Sequence, residues 1–244
     1  MNHSTLLSLE RKHLRYSILV PMGIVGIMVF LHLLPIESCL GIEPRCIEKL
    51  HGIILSPFFH ADWSHLLSNL PPLFLLMAGL FYYYPGRFFQ ILLLGTLLNN
   101  ITLWFFARSG CHIGASGIIY FLSAFFLLSA FLARNRRMGA FVLIIVFLYG
   151  SLIWGIFPNK PEISWEAHLG GAMWGFIFSF LFRHQPTWLS RIEPNIPESD
   201  PSLQQDQDFE TETELKNSTE IENWLNFKEI KYFYKEDNPS DSNQ

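Results

Sequence analysis

Long apolar stretches separated by short polar connectors dominate the first 185 residues of the chain. Six of them approach the roughly 20 residues that a helix needs to cross a bilayer. They run over residues 16–36, 66–84, 88–106, 116–133, 138–157 and 167–182. One or two such stretches fit the core of a soluble protein, but six with such short connectors do not. The pattern predicts an all-α polytopic membrane protein with six transmembrane helices.

The same pattern divides the chain into three parts. Residues 1–15 are predicted to form a cytoplasmic N-terminal segment, and residues 16–185 a membrane domain. Residues 186–244 are predicted to form an acidic, largely disordered cytoplasmic tail, because they are rich in acidic and small polar side chains. Charge follows the division, since residues 1–192 hold 13 basic and 7 acidic side chains, whereas residues 193–244 hold 4 lysines and 14 acids.

Lysine and arginine in the connectors predict the orientation of the spans. If the N-terminus lies inside, nine basic residues fall on the inner side and four on the outer side. The inner set is Arg11, Lys12, Arg15, Arg87, Arg134, Arg136, Arg137, Arg183 and Arg191, and the outer set is Arg45, Lys49, Arg108 and Lys160. We expect a multi-pass protein of a bacterial inner membrane with both termini in the cytoplasm.

Three cysteines fall on the outer side in this orientation, where disulfides can form. Cys39 and Cys46 share one connector and could pair, which would leave Cys111 over. Three free thiols fit the sequence equally well, because spacing alone does not fix connectivity.

Four polar side chains stand at the predicted outer ends of the even-numbered spans. His65 and Asn69 belong to span two, Ser116 to span four and His168 to span six. These three spans run in the same direction, so the four side chains lie at one depth. His65 and Asn69 are four residues apart and share a helical face. Polar groups are costly at membrane depth, so the cluster favours an active site over isolated structural hydrogen bonds.

Ser116 stands at the start of its span, between Gly114 and Gly117. The two glycines remove bulk, so that backbone and an imidazole can approach the serine hydroxyl. Backbone N–H groups at a helix start have no intrahelical partner and suit a developing oxyanion. A neutral imidazole such as His168 can take the proton of the hydroxyl.

A carboxylate to orient the imidazole is absent from the pattern. Asp62 is the only aspartate before position 200, and Glu166 points away from His168 on a helix. The arrangement therefore predicts a Ser–His dyad.

Three motifs resemble those of the rhomboid intramembrane serine proteases, over about residues 15–185. They are H-x-x-x-N at His65 and Asn69, G-x-S-G followed by Tyr120, and A-H-x-x-G-x-x-x-G from Ala167 through Gly171 to Gly175. His60 also fits the second-helix pattern of the family. The resemblance implies a six-helix rhomboid-like bundle. The family often carries a Trp-Arg pair in the first outer loop, whereas this chain has Arg45 without the tryptophan.

The resemblance also implies a role for each residue of the cluster. Ser116 would be the nucleophile and His168 the general base. His65, Asn69 and the Ser116 backbone N–H would line the oxyanion hole. Tyr120 would pack against the His168 ring, while Gly171 and Gly175 would seat span six against span four.

The expected function is that of an intramembrane serine endopeptidase that cleaves single-pass transmembrane proteins in the lipid bilayer. We expect no cofactor, no metal and no nucleic-acid partner, and the sequence does not indicate the oligomeric state. No span carries an aspartate and H-E-x-x-H is absent, which argues against aspartyl and zinc intramembrane proteases. The alternative is a non-catalytic rhomboid-like protein that binds membrane clients, and it would not need both Ser116 and His168.

Overall fold

The computed structural model describes residues 3–35, 39–158 and 162–184 of the chain. The predicted tail, residues 186–244, lies outside the described residues. Side chains are described from Glu10 onward, with the exception of those at positions 151–153.

The described residues are mostly helical, and their only β-type pairing is one isolated bridge between Ile42 and His112. The first helix begins at His3, so it includes most of the predicted segment 1–15 as well as the first predicted span. The α-helices are α1 (His3–His32), α2 (Gly52–Leu55), α3 (Trp63–Tyr83), α4 (Phe88–Phe106), α5 (Ser116–Leu132), α6 (Arg136–Tyr149) and α7 (Trp165–Phe182).

Three described segments are long and apolar enough to cross a membrane by length and composition alone. They are Glu10–His32, Trp63–Tyr83 and Pro85–Phe106. Helix α5 is apolar but has only 17 residues, or about 26 Å at 1.5 Å per residue. Three spans are therefore present by this measure, and the count of six stays a prediction.

Helix α5 lies at the centre of the bundle and packs against α3, α4, α6 and, most extensively, α7. Its fully buried side chains include Phe121, Phe125 and Phe126. The outward faces are apolar as well, with Phe106 82% exposed and Phe147 88% exposed. Soluble proteins rarely expose large contiguous apolar surfaces, so these faces fit contact with lipid.

The fifth predicted span, residues 138–157, differs from the structure. Helix α6 ends at Tyr149, and a 3₁₀ helix continues from Gly150 to Ile156. Gly150 and Gly155 lower the helix propensity of this stretch. The tighter turns bring the Gly155 carbonyl to the first turn of α7.

The disulfide of the structure joins Cys39 to Cys111 and leaves Cys46 free. The pairing of Cys39 with Cys46 considered from the sequence is therefore wrong, and so is the alternative of three free thiols. Proximity along the chain suggested the first pairing, whereas the fold places the 39–42 segment beside the connector that precedes α5.

The segment around Arg45, between α1 and α2, is anchored on the end of α4. Arg45 is not preceded by the tryptophan of the family's Trp-Arg pair. It donates from Nη1 to the carbonyls of Phe105 and Ala107 at 3.1 and 2.9 Å. Trp104 donates from Nε1 to the Cys46 carbonyl at 3.2 Å. The tryptophan that holds this loop thus comes from α4.

Candidate active site

The packing of α5 on α7 brings Ser116 and His168 together. Ser116 is the first residue of α5, and His168 lies in the first turn of α7. Their Oγ and Nε2 atoms are 2.8 Å apart. The imidazole is buried, while the serine is half-buried and lines a cavity.

The other ring nitrogen of His168 lies 2.8 Å from the Gly155 carbonyl oxygen. A carbonyl oxygen only accepts, so Nδ1–H donates to it. In the neutral ring, Nε2 then presents its lone pair to the Ser116 hydroxyl. The sequence reasoning missed Gly155, since a backbone carbonyl leaves no mark in a sequence.

Tyr120 stacks on the His168 ring, with centroids 4.1 Å apart and planes 11° from parallel. It stands four residues after Ser116, one turn further along α5. A Cβ added at Gly155 would collide with the Tyr120 hydroxyl and lie 3.0 Å from His168 Nδ1. The imidazole thus stacks on the Tyr120 ring with its face and donates to the Gly155 carbonyl from its edge.

Gly171 and Gly175 allow α7 to lie directly on the backbone of α5. A Cβ at Gly171 would collide with the Gly117 carbonyl, and one at Gly175 with the Phe121 carbonyl. The structure thus brings both glycines against the helix that carries Ser116.

Gly114 and Gly117 make room for neighbouring groups on either side of Ser116. Gly114 has a φ of +111°, a conformation that favours glycine, and a Cβ there would lie 2.8 Å from the His65 ring. A Cβ at Gly117 would lie 2.7 Å from the Asn99 amide nitrogen. Gly114 therefore admits an imidazole, that of His65, whereas Gly117 admits the Asn99 side chain, and the Ala167 carbonyl oxygen of α7 would lie 3.4 Å from the added Cβ.

His65 and Asn69 lie on the first turns of α3 and line the same cavity as Ser116. Asp62 caps this helix by accepting a 2.8 Å hydrogen bond from the His65 backbone N–H. The Asn69 side-chain amide donates to the His65 carbonyl at 3.0 Å. The amide nitrogen carries a second N–H donor, which is the one that an oxyanion role would use.

His60 supports the residue that precedes the serine. Its Nε2 accepts a 3.3 Å hydrogen bond from the Ala115 backbone N–H. Burial, followed by the neighbouring imidazoles of His65 and His32, lowers the pKa of His60 to about 4. The ring is therefore neutral near pH 7 and able to accept.

Two neighbouring asparagines of α4 were missed by the sequence reasoning. Asn100 is buried and donates to the Ile53 carbonyl at 2.8 Å and to Ser56 Oγ at 3.3 Å. The Ser56 carbonyl accepts the Gly114 backbone N–H at 2.9 Å. Asn99 and Asn100 are polar residues within an apolar span, and that signal could have found them.

A cavity of about 830 Å³ has both Ser116 and His168 in its wall. Its lining also includes the polar residues His65 and Asn69, and all of its lining residues fall between Ala61 and His168. Space of this size beside a half-buried hydroxyl can admit water and a segment of extended chain.

A model of the rhomboid domain matches residues 48–185, more than half of the 244-residue chain. The chain therefore belongs to the rhomboid family, which confirms the resemblance of its motifs. Together with its apolar helices, this makes it an integral membrane protein.

Its relatives include proteins of Mycobacterium tuberculosis and Mycobacterium bovis, each described as uncharacterized. Both are 32% identical to this chain over 155 residues, which cover 58% of this chain and 62% of each relative. An uncharacterized protein of Mycobacterium leprae is 30% identical, with 58% and 59% covered. The match thus spans less than two thirds of the length of these relatives.

Proposed function

We propose that this protein is an intramembrane serine endopeptidase that cleaves single-pass transmembrane proteins. The observation that carries the proposal is the 2.8 Å contact between Ser116 Oγ and His168 Nε2. A serine hydroxyl is a weak nucleophile until a base within hydrogen-bond distance takes its proton. The family membership of the chain supports the same chemistry.

In the proposed reaction, Ser116 Oγ attacks the scissile carbonyl while His168 Nε2 accepts its proton. The tetrahedral oxyanion is stabilised by the backbone N–H of Ser116 and by the side chains of His65 and Asn69. His168 then donates the proton to the leaving amine. Water from the cavity attacks the acyl carbon while the same imidazole takes its proton. The bond to Ser116 Oγ then breaks, His168 returns the proton to Oγ, and the acid product leaves.

The dyad works without a carboxylate in this proposal. Glu166, the acid nearest to His168 in sequence, lies 3.4 Å from the Arg108 guanidinium and is engaged there. Gly155 and Tyr120 orient the imidazole instead. They fix its tautomer and its plane, so that the proton moves along the short path to Nε2.

We further propose that α1, α3, α4, α5, α6 and α7 each cross the membrane, with both termini in the cytoplasm of a bacterium. Helices α3, α5 and α7 then run in one direction, which places Ser116 and His168 near the outer surface. The excess of basic residues in the predicted inner connectors supports this orientation.

The test is cleavage of a single-pass substrate by the purified full chain in liposomes. Ser116→Ala and His168→Ala should each reduce cleavage to background, because the two groups act as a unit. The matched control is Ser123→Ala on the same helix, since Ser123 Oγ has no hydrogen-bond partner among the described residues. It should cleave at the wild-type rate.

A fluorophosphonate that reacts with activated serines gives a second readout. It should label Ser116 in the wild type and much less in His168→Ala. If a folded Ser116→Ala variant cleaved normally, the proposed function would be wrong. Substrate binding without cleavage or labelling in the wild type would favour the client-binding alternative.

A further inference from the structure

A second connection joins the two segments that carry the dyad. His112 precedes Ser116 by four residues, just as Ser164 precedes His168. His112 Nε2 lies 2.9 Å from the Arg108 carbonyl oxygen, and its Nδ1 lies 2.7 Å from Ser164 Oγ. The carbonyl only accepts, so Nε2–H donates to it, and the Ser164 hydroxyl donates to Nδ1 of the neutral ring. The imidazole therefore ties the start of α7 to the connector that leads into α5.

Residues 39–42 hold the same connector from another side. Ile42 and His112 exchange both backbone hydrogen bonds, each 2.9 Å long. The disulfide between Cys39 and Cys111 closes this pairing one residue before His112. Gly41 permits the close approach, because a Cβ there would collide with the His112 carbonyl.

The two parts of this connection differ in accessibility. Ile42 is fully buried and His112 is 7% exposed, so the bridge and the imidazole are sheltered from solvent. Cys111 is exposed and also lines the cavity, and Cys39 is half-buried. The covalent part can therefore be reached by a thiol reagent, while the hydrogen-bonded part remains packed.

We propose that the Cys39–Cys111 disulfide and His112 form a positioning strap that holds Ser116 in line with His168. This inference rests on the proposed function. A misplacement of about 1 Å can cost about a hundredfold in rate, so a connector that moves more freely should slow the attack of Ser116. Cys111 and His112 line the cavity together with many other residues, among them His65 and Asn69, so we expect substrate binding to change much less than kcat.

The strap makes the reaction sensitive to dithiols. Dithiothreitol breaks the S–S bond by transferring two electrons and two protons to the two sulfurs, and it becomes a cyclic disulfide itself. Glutathione disulfide reverses the step by thiol–disulfide exchange and releases two glutathione molecules. Opening and closing the strap can thus be followed in one sample of the wild-type protein.

The experiment measures kcat and KM of the full chain in liposomes before reduction, after dithiothreitol and after reoxidation. Reduction should lower kcat about tenfold or more, while KM stays within about twofold of its value before reduction. Reoxidation should restore kcat. A Cys39→Ser, Cys111→Ser double variant should match the reduced wild type and should not respond to dithiothreitol. Cys46→Ser, which changes the free thiol, should behave as the wild type does.

Variants of His112 test the other half of the strap. His112→Ala should lower kcat and the rate of fluorophosphonate labelling at Ser116 together. His112→Gln, whose amide can both donate and accept, should keep more of each. Equal loss in the two variants would contradict the positioning role of the ring.

The outcomes separate the strap from the proposed function. An active wild type whose kcat is unchanged by reduction would overturn the strap and leave the protease intact. The strap would also be overturned if the double cysteine variant lost kcat while reduction of the wild type left kcat unchanged. Such a loss would reflect misfolding of the variant. A wild type that neither cleaves nor labels before reduction would overturn the proposed function itself.

Discussion

At the scale of single residues, the Gly155 carbonyl occupies the place that a carboxylate takes in a Ser–His–Asp triad. It accepts the Nδ1 proton of His168 at 2.8 Å. A neutral carbonyl fixes the tautomer and the ring direction but adds no full negative charge to stabilise an imidazolium. Orientation is therefore the main contribution that we expect from this segment.

A methyl group at position 155 should disturb that orientation. The added Cβ of Gly155→Ala would collide with the Tyr120 hydroxyl and lie 3.0 Å from His168 Nδ1. We expect kcat to fall about tenfold or more because the ring is displaced from Ser116. Steady-state cleavage kinetics and the rate of fluorophosphonate labelling measure the effect.

The matched control for that change is Gly150→Ala in the same 3₁₀ helix. No described atom lies within 4 Å of a Cβ added there. This variant should retain wild-type kinetics. If both alanine variants cleaved equally well, the tight packing at Gly155 would not matter to catalysis.

At the scale of elements, the contact between α5 and α7 determines whether the dyad forms. Gly171 and Gly175 are one turn apart on α7, and each meets a backbone carbonyl of α5. Small residues at such positions let helix backbones approach closely in a membrane. The distance between Ser116 and His168 therefore also depends on glycines that have no part in the proposed proton transfer.

Gly175→Ala should lower the stability of the protein, although alanine is the better helix former by about 1 kcal/mol. Its Cβ would collide with the Phe121 carbonyl, which is backbone and cannot rotate away. Overpacking of this kind typically costs about 1–3 kcal/mol. Thermal unfolding in detergent measures the loss.

Gly26→Ala in α1 provides the comparison, since no described atom lies within 4 Å of its added Cβ. That variant should be as stable as the wild type or slightly more stable. A Gly175→Ala protein with an equally high melting temperature would show that α7 does not need the small residue.

The elements also show what the sequence could and could not predict. Helices α4 and α5 begin at Phe88 and Ser116, where the apolar runs begin, because polar or glycine-containing connectors precede them. The end of α6 at Tyr149 was missed, because the chain stays apolar up to Phe157 and composition does not separate an α-helix from a 3₁₀ helix.

The same limit applies to the site. Ser116 and His168 could be singled out because hydroxyl and imidazole groups are unusual at membrane depth, and the structure brings them together. The contact of Gly155 uses a backbone carbonyl, and the disulfide joins cysteines 72 residues apart. Neither follows from local pattern, because each depends on how distant segments pack.

At the scale of the whole molecule, the cavity is built by residues from a limited part of the chain. All of its lining residues fall between Ala61 and His168. A variant that lacks residues 193–244 should therefore keep cleavage in detergent close to that of the full chain. Gel assays at equal protein concentration measure it, and a folded but inactive truncation would show that the tail contributes to catalysis.

The position of the dyad also determines which substrates we expect. A regular helix hides its peptide carbonyls within its own hydrogen bonds, so the scissile segment must unwind before Ser116 can attack. Unwinding in lipid is costly, because each freed backbone group lacks a partner. The cavity beside Ser116 offers polar side chains, among them His65 and Asn69, that can replace the lost hydrogen bonds.

Substrates should therefore be single-pass helices with weak helix formers near their outer end and a small residue at the cut. Glycine or proline there lowers the cost of unwinding, by about 1 kcal/mol for glycine and about 3 kcal/mol for proline relative to alanine. Replacing these residues with leucine one at a time should slow cleavage stepwise. The same leucines placed near the inner end of the substrate provide the control and should have little effect. Equal rates across both series would show that cleavage does not depend on local unwinding of the substrate.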